Sequence, residues 1–180
     1  FLEAQKNFEK ARFLKPDILN PWIYLALIKE KQDDADGAIN ILAHLDDLET
    51  TINQPTISHA KVEEFLHFTE VFAEPHHQKE EQVLFPALEK KGIPNEGGPI
   101  GMMLLEHAAK REYLVKMREA LRENNETKLK ENTQSMISLL REHIYKENNI
   151  LYPCAEDALT QEELTSLASQ CEKIKIHPVK

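Results

Sequence analysis

Apolar residues recur every three to four positions along most of this chain, the period of an amphipathic helix. The stripe Ala38, Ile41, Leu45, Leu48 and Ile52 predicts a first helix over residues 36–52, closed by Asn53, Gln54 and Pro55. A second stripe starts near Thr56 or Ser58 and predicts a helix to about Lys90. Its inner positions are Val62, Phe65, Leu66, Thr69, Phe72 and Ala73, then Val83, Leu84, Ala87 and Leu88. Pro75 lies inside it, where the missing N–H should kink the helix. KKGIPNEGGP reads as a loop, with Gly92 as C-cap and Pro99 in the first turn of the next helix. A third helix is predicted over residues 100–122, with Met103, Leu104, His107, Ala108, Arg111, Leu114, Val115 and Leu121 facing inward. After the polar turn ENNET, a fourth runs over residues 126–151 and stops near Pro153, with Met136, Ile137, Leu140, Ile150, Leu151 and Cys154 inside. Thr160 and Glu163 form a capping box for a short helix from about Gln161 to Lys173. Four such helices with short connections pack best as an all-α, up-down-up-down four-helix bundle, here residues 36–180 with the short C-terminal helix appended.

Polar residues interrupt two of these stripes in the same way. HHQKEEQVLFP from His76 to Pro86 and HIYKENNILYP from His143 to Pro153 share His-x-x-x-Glu, an apolar run and a proline. Residues four apart share a helix face, about 6 Å apart along the axis. His76 with Glu80, and His143 with Glu147, therefore fall on faces that should be buried. A glutamate is almost never fully buried unless paired or coordinated. Two such pairs at matching positions point to a metal. A satisfied polar pair would explain one copy and explains two poorly. His107 and His143 each lie about 17 residues from the turn between their helices, so they sit at one height. Two carboxylates with three imidazoles suit iron or manganese better than a Cys-rich zinc site or a carboxylate-only calcium site.

The first 50 residues carry a separate signal. Ala4, Phe8, Ala11, Pro16, Trp22, Leu25, Ala26 and Ala38 are spaced as in a tetratricopeptide repeat, with Ala4 and Ala38 separated by 34 residues. At most one and a half repeats are present, and an ordinary helical hairpin that packs on the main domain is the simpler reading of the pattern. Residues 1–35 are thus read as an N-terminal helical extension, a candidate docking element for a protein partner.

Composition narrows the classes. The 180 residues are 41% hydrophobic and 29% charged with five glycines, which suits one helical core. A net charge of -9 disfavours nucleic acid and anionic membrane surfaces as partners. No signal-peptide pattern and no apolar run near 18 residues is present. The opening FLEAQKNF lacks a methionine, so the chain is expected to extend upstream. Cys154 and Cys171 make no disulfide framework, and both are expected reduced in a cytoplasmic protein.

The stretch HHQKEEQVLFPALEKKGIPNEGGPIGMMLLEHAAKRE, followed later by HIYKENNILYPCAE, resembles the hemerythrin-like HHE cation-binding family. The resemblance covers residues from about 36 to 160. It implies a four-helix bundle holding a non-haem di-iron centre of two iron ions, with manganese or zinc as substitutes. By similarity, His76 and Glu80, His107, and His143 and Glu147 would be the metal residues, with the two glutamates bridging. Relatives bind dioxygen, sense oxygen or nitric oxide, or handle iron, so a small diatomic ligand at the metal is the leading expectation. An iron enzyme acting on peroxide or nitric oxide, or an interaction scaffold with a degenerate metal site, is the alternative.

Two positions depart from the pattern. Oxygen carriers have His-x-x-x-His on the third helix, and here the second position is Arg111. The first helix should bring a histidine, and its one candidate is His44. His44 lies roughly 15 Å too low for a site at His76, near the level of His67. Asp34 reaches the right height, so an Asp ligand, a water and a five-residue site all stay open. His77 and Glu81, next to the first pair, face either the bundle edge or the back of the metal residues. His59, His67 and His177 are assigned no function.

Overall fold

The computed structural model describes residues 35–174, with side chains from residue 41 onward. The tetratricopeptide-like stretch, Asp34 and His177 lie outside the described residues. Helix α1 is Ala35–Ile52, α2 spans residues 59–90, α3 is Pro99–Arg122, α4 spans residues 126–158, and α5 is Gln161–Cys171. The first four form the up-down-up-down bundle, α1 packing on α2 and α4, and α3 lying along α4. No helix among the described residues is long and apolar enough to cross a membrane.

The ends of the helices follow from local chemistry. At the end of α2 the N–H of Gly92 bonds to the carbonyl of Glu89 (2.9 Å) and that of Ile93 to Leu88 (3.2 Å). This is a Schellman cap, and Gly92 takes the φ of 90° it requires. Thr160 and Glu163 make the capping box of α5.

Helices α2 and α4 are continuous through their prolines, which corrects one expectation. Pro153 does not stop α4, which continues to Ala158. Each of Pro75, Pro86 and Pro153 instead follows a π-helical turn, at Thr69–Ala73, Glu80–Leu84 and Glu147–Leu151. The residue before each proline, Glu74, Phe85 or Tyr152, donates its N–H five residues back, to Thr69, Glu80 or Glu147. Proline lacks an N–H and its ring collides with the carbonyl four residues earlier. A widened turn removes the conflict without breaking the helix.

The extra residue in each π turn advances the inward face by about 100°. Phe72 and Ile150, expected in the core, are accordingly 42% and 49% exposed. His77 and Tyr152 turn inward and are 3% and 4% exposed. In α3 the inward row is Ile100, Met103, His107, Lys110, Leu114 and Met117, a strict alternation of three and four. Leu104, Ala108 and Val115, expected inside, are exposed because that row leaves them on its flank.

Among the described residues the apolar core comes in two pieces. The lower one joins Leu45, Leu48 and Ile52 of α1 to Val62 and Phe65, to Leu114 and Met117, and to Met136 and Leu140. The upper one joins Val83, Leu84, Phe85 and Leu88 to Ile100, Met103, Leu151, Tyr152 and Ala155, and is covered by Leu164 and Cys171 of α5. Between these clusters, by sequence position in α2, α3 and α4, lie buried polar residues: Glu74, His77 and Glu80, then Glu106, His107 and Lys110, then His143 and Glu147.

Candidate metal centre

Burying that many ionisable groups in one layer is costly unless each finds a partner. The five residues singled out in the sequence converge there. Nε2 of His143 lies 2.9 Å from Oε1 of Glu147, and Nε2 of His76 lies 3.3 Å from the same oxygen. Nε2 of His107 is 3.3 Å from Oε2 of Glu80, whose other oxygen is 3.8 Å from Nε2 of His76. Among the described residues two groups have ligand atoms within 4.8 Å of one another: His77, His107, His143 and Glu147, and His76, Glu80 and Glu147. Glu147 belongs to both.

The chemistry of the donor set fits a cation. Oε2 of Glu80 and Nε2 of both His107 and His143 are buried and make no aligned hydrogen bond. Nitrogen and carboxylate oxygen atoms left so in a core are what a bound cation satisfies. The opposite ring nitrogens are committed elsewhere. Nδ1 of His107 donates to Glu81 (2.8 Å), and Nδ1 of His143 donates to Glu106 (3.0 Å). Each carboxylate fixes the tautomer that leaves the Nε2 lone pair facing inward, the usual support of a metal-binding histidine. The carboxylates are braced in turn: Arg111 pairs with Glu81 at 2.9 Å, and Lys146 pairs with Glu106.

Electrostatics in the metal-free layer favour a retained proton. Burial alone would depress His143, but the nearby charge of Glu147 and the hydrogen bond that Nδ1 donates to Glu106 outweigh it and hold its imidazolium up to about 10. Burial opposes ionisation of Glu147 too, yet the His143 and His76 charges hold its carboxyl well below the usual range. Protons therefore stand where a cation would, and cation binding would release them.

Three further residues of the layer were not visible as such in the sequence. Tyr152 directs its hydroxyl to Oε1 of Glu80 (3.0 Å) and lies 3.3 Å from Nε2 of His76. Lys110 is fully buried, with its Nζ 2.6 Å from Glu74 and 2.9 Å from Nδ1 of His77. Glu74 also takes two hydrogen bonds from Arg111, at 3.0 and 2.8 Å. His44 is elsewhere: its ring packs on Phe68 at 4.1 Å, beside the level its position in α1 implied.

Comparison with curated proteins and with solved structures finds no match. The profile of the hemerythrin HHE cation binding domain does match, over residues 28–155, which takes in the polar layer and all five convergent residues. The match spans well over half of the sequence, and the chain belongs to the hemerythrin HHE cation-binding domain family.

Proposed function

We propose that this protein holds a non-haem di-iron centre and uses it to bind or sense a small diatomic ligand, or to handle iron. His76, Glu80, His107, His143 and Glu147 would hold that centre. The observation that carries the reading is the sharing of Glu147 between two groups of potential ligand atoms. A carboxylate so placed suits two adjacent cations better than one. The hard oxygen and imidazole donors favour iron, with manganese or zinc as substitutes.

Bound iron would supply an open coordination position for a dioxygen- or nitric-oxide-sized ligand. The chain supplies the rest. Glu81 and Glu106 orient the two imidazoles, Arg111 and Lys146 hold those carboxylates, and the apolar clusters keep bulk water away. Elemental analysis of protein reconstituted with Fe(II) should find close to two iron atoms per chain. His44→Ala should leave that number unchanged and His107→Ala should lower it strongly. A reproducible value near zero in the parent, with no binding on titration, would sink the di-iron reading.

A further inference from the structure

We propose that His77 is a hydrogen-bond donor facing the metal position, set in that role by Lys110 and Glu74, and is not itself a metal ligand. The proposal rests on the di-iron reading. By proximity His77 could be counted among the ligands. Its ring lies parallel to that of His107 at 3.9 Å and edge-on to that of His143 at 5.0 Å. One of its ring nitrogens is within 4.8 Å of ligand atoms of His107, His143 and Glu147.

What separates the three imidazoles is the neighbour of Nδ1. For His107 and His143 it is a carboxylate, which accepts a proton from Nδ1 and leaves the Nε2 lone pair for a cation. For His77 it is the Lys110 ammonium, 2.9 Å away. An ammonium has three donors and no acceptor, so Nδ1 of His77 must accept. A neutral imidazole that accepts at Nδ1 carries its proton at Nε2, and an Nε2–H cannot ligate a metal. The ammonium is well anchored: it lies 2.6 Å from Glu74, whose carboxylate is also held by Arg111.

The consequence is a ligand class. An N–H directed at the metal position favours a small anion that accepts a hydrogen bond over a neutral molecule that accepts one poorly. It would stabilise negative charge on whatever binds there without adding a ligand to the metal.

Azide is the probe. The iron-loaded full chain is titrated with azide and followed by absorption, alongside His77→Phe and His77→Gln. His77→Phe should keep the iron content of the parent and weaken azide binding about tenfold, the worth of one hydrogen bond to an anion. His77→Gln can present an amide N–H and should recover most of the affinity. Independently of iron, nitrogen-15 spectra of the metal-free chain should show His77 protonated at Nε2, and Lys110→Met should disturb that signal. Loss of iron in His77→Phe would make His77 a ligand and overturn the proposal. So would unchanged azide affinity in that variant, or an Nδ1–H tautomer in the parent. If the parent itself takes up no iron, the di-iron reading fails, and the nitrogen spectra still decide whether Lys110 sets the tautomer.

Discussion

Iron should raise the melting temperature of the parent by about 5–10 °C and leave that of Glu147→Gln unmoved. A ligand that binds only the native state stabilises it by mass action, about 2.7 kcal/mol at a hundred times its dissociation constant. For a domain of this size each kcal/mol moves the midpoint by about 2–4 °C. Glu147 faces both His143 and His76, so its replacement should weaken both cation positions at once. The amide keeps the shape of the carboxylate but lacks its charge. Thermal melts with and without Fe(II) make the comparison. If the variant is stabilised by iron as much as the parent, Glu147 is not a ligand.

Glu74→Ala should cost about 3–5 kcal/mol in the metal-free protein, the cost of stranding a buried charge. Lys110 is completely buried beside Glu74, and Arg111 shares the same carboxylate. Removing it takes away the carboxylate that Nζ of Lys110 bonds and leaves Nδ1 of His77 as the hydrogen-bond partner of the ammonium among the described residues. The double variant Glu74→Leu with Lys110→Met should recover much of the loss, because a well-packed apolar pair can replace a buried ion pair of similar volume. Denaturant unfolding of both variants provides the check. A loss under about 1 kcal/mol for Glu74→Ala would mean that water reaches Lys110.

The bundle was legible because its stripes are long and regular. The first helix was placed at residues 36–52 and is Ala35–Ile52, and the third was placed at residues 100–122 and is Pro99–Arg122. The paired His-x-x-x-Glu motif drew attention to five residues that the fold brings together. What escaped has one main physical cause. A straight α-helix projection of α2 puts Phe72 inside and makes His77 a neighbour of the buried pair. In α4 the same projection puts Ile150 inside and passes over Tyr152. The π turns before Pro75 and Pro153 shift the phase and reverse both assignments. The prolines are visible in the sequence, but proline chemistry alone does not say that the turn before each one widens, and at Pro153 it suggests a stop where the helix continues. Lys110 was missed for another reason. A lysine at a core position breaks the apolar pattern, and its partner Glu74 lies on another helix. Hydrophobicity alone favours Leu104, Ala108 and Val115, whereas the buried row of α3 gives core places to His107 and Lys110.

The polar layer between the two apolar clusters also bears on how the protein unfolds. Each cluster is a modest packing unit, and the layer between them holds mostly ionisable groups that attract one another as charges and hydrogen bonds. Without a bound cation, the upper unit, which includes Leu164 and Cys171 of α5, should open while the lower one persists. Amide exchange of the metal-free chain should therefore fall into two tiers, with α5 and residues 85–103 exchanging faster than residues 114–140. Iron would tie α2, α3 and α4 together across the layer and merge the tiers into one cooperative unit. On that account a bound cation would act as a cross-brace as much as a ligand-binding centre, and losing it would mark the protein for proteolysis at one end first.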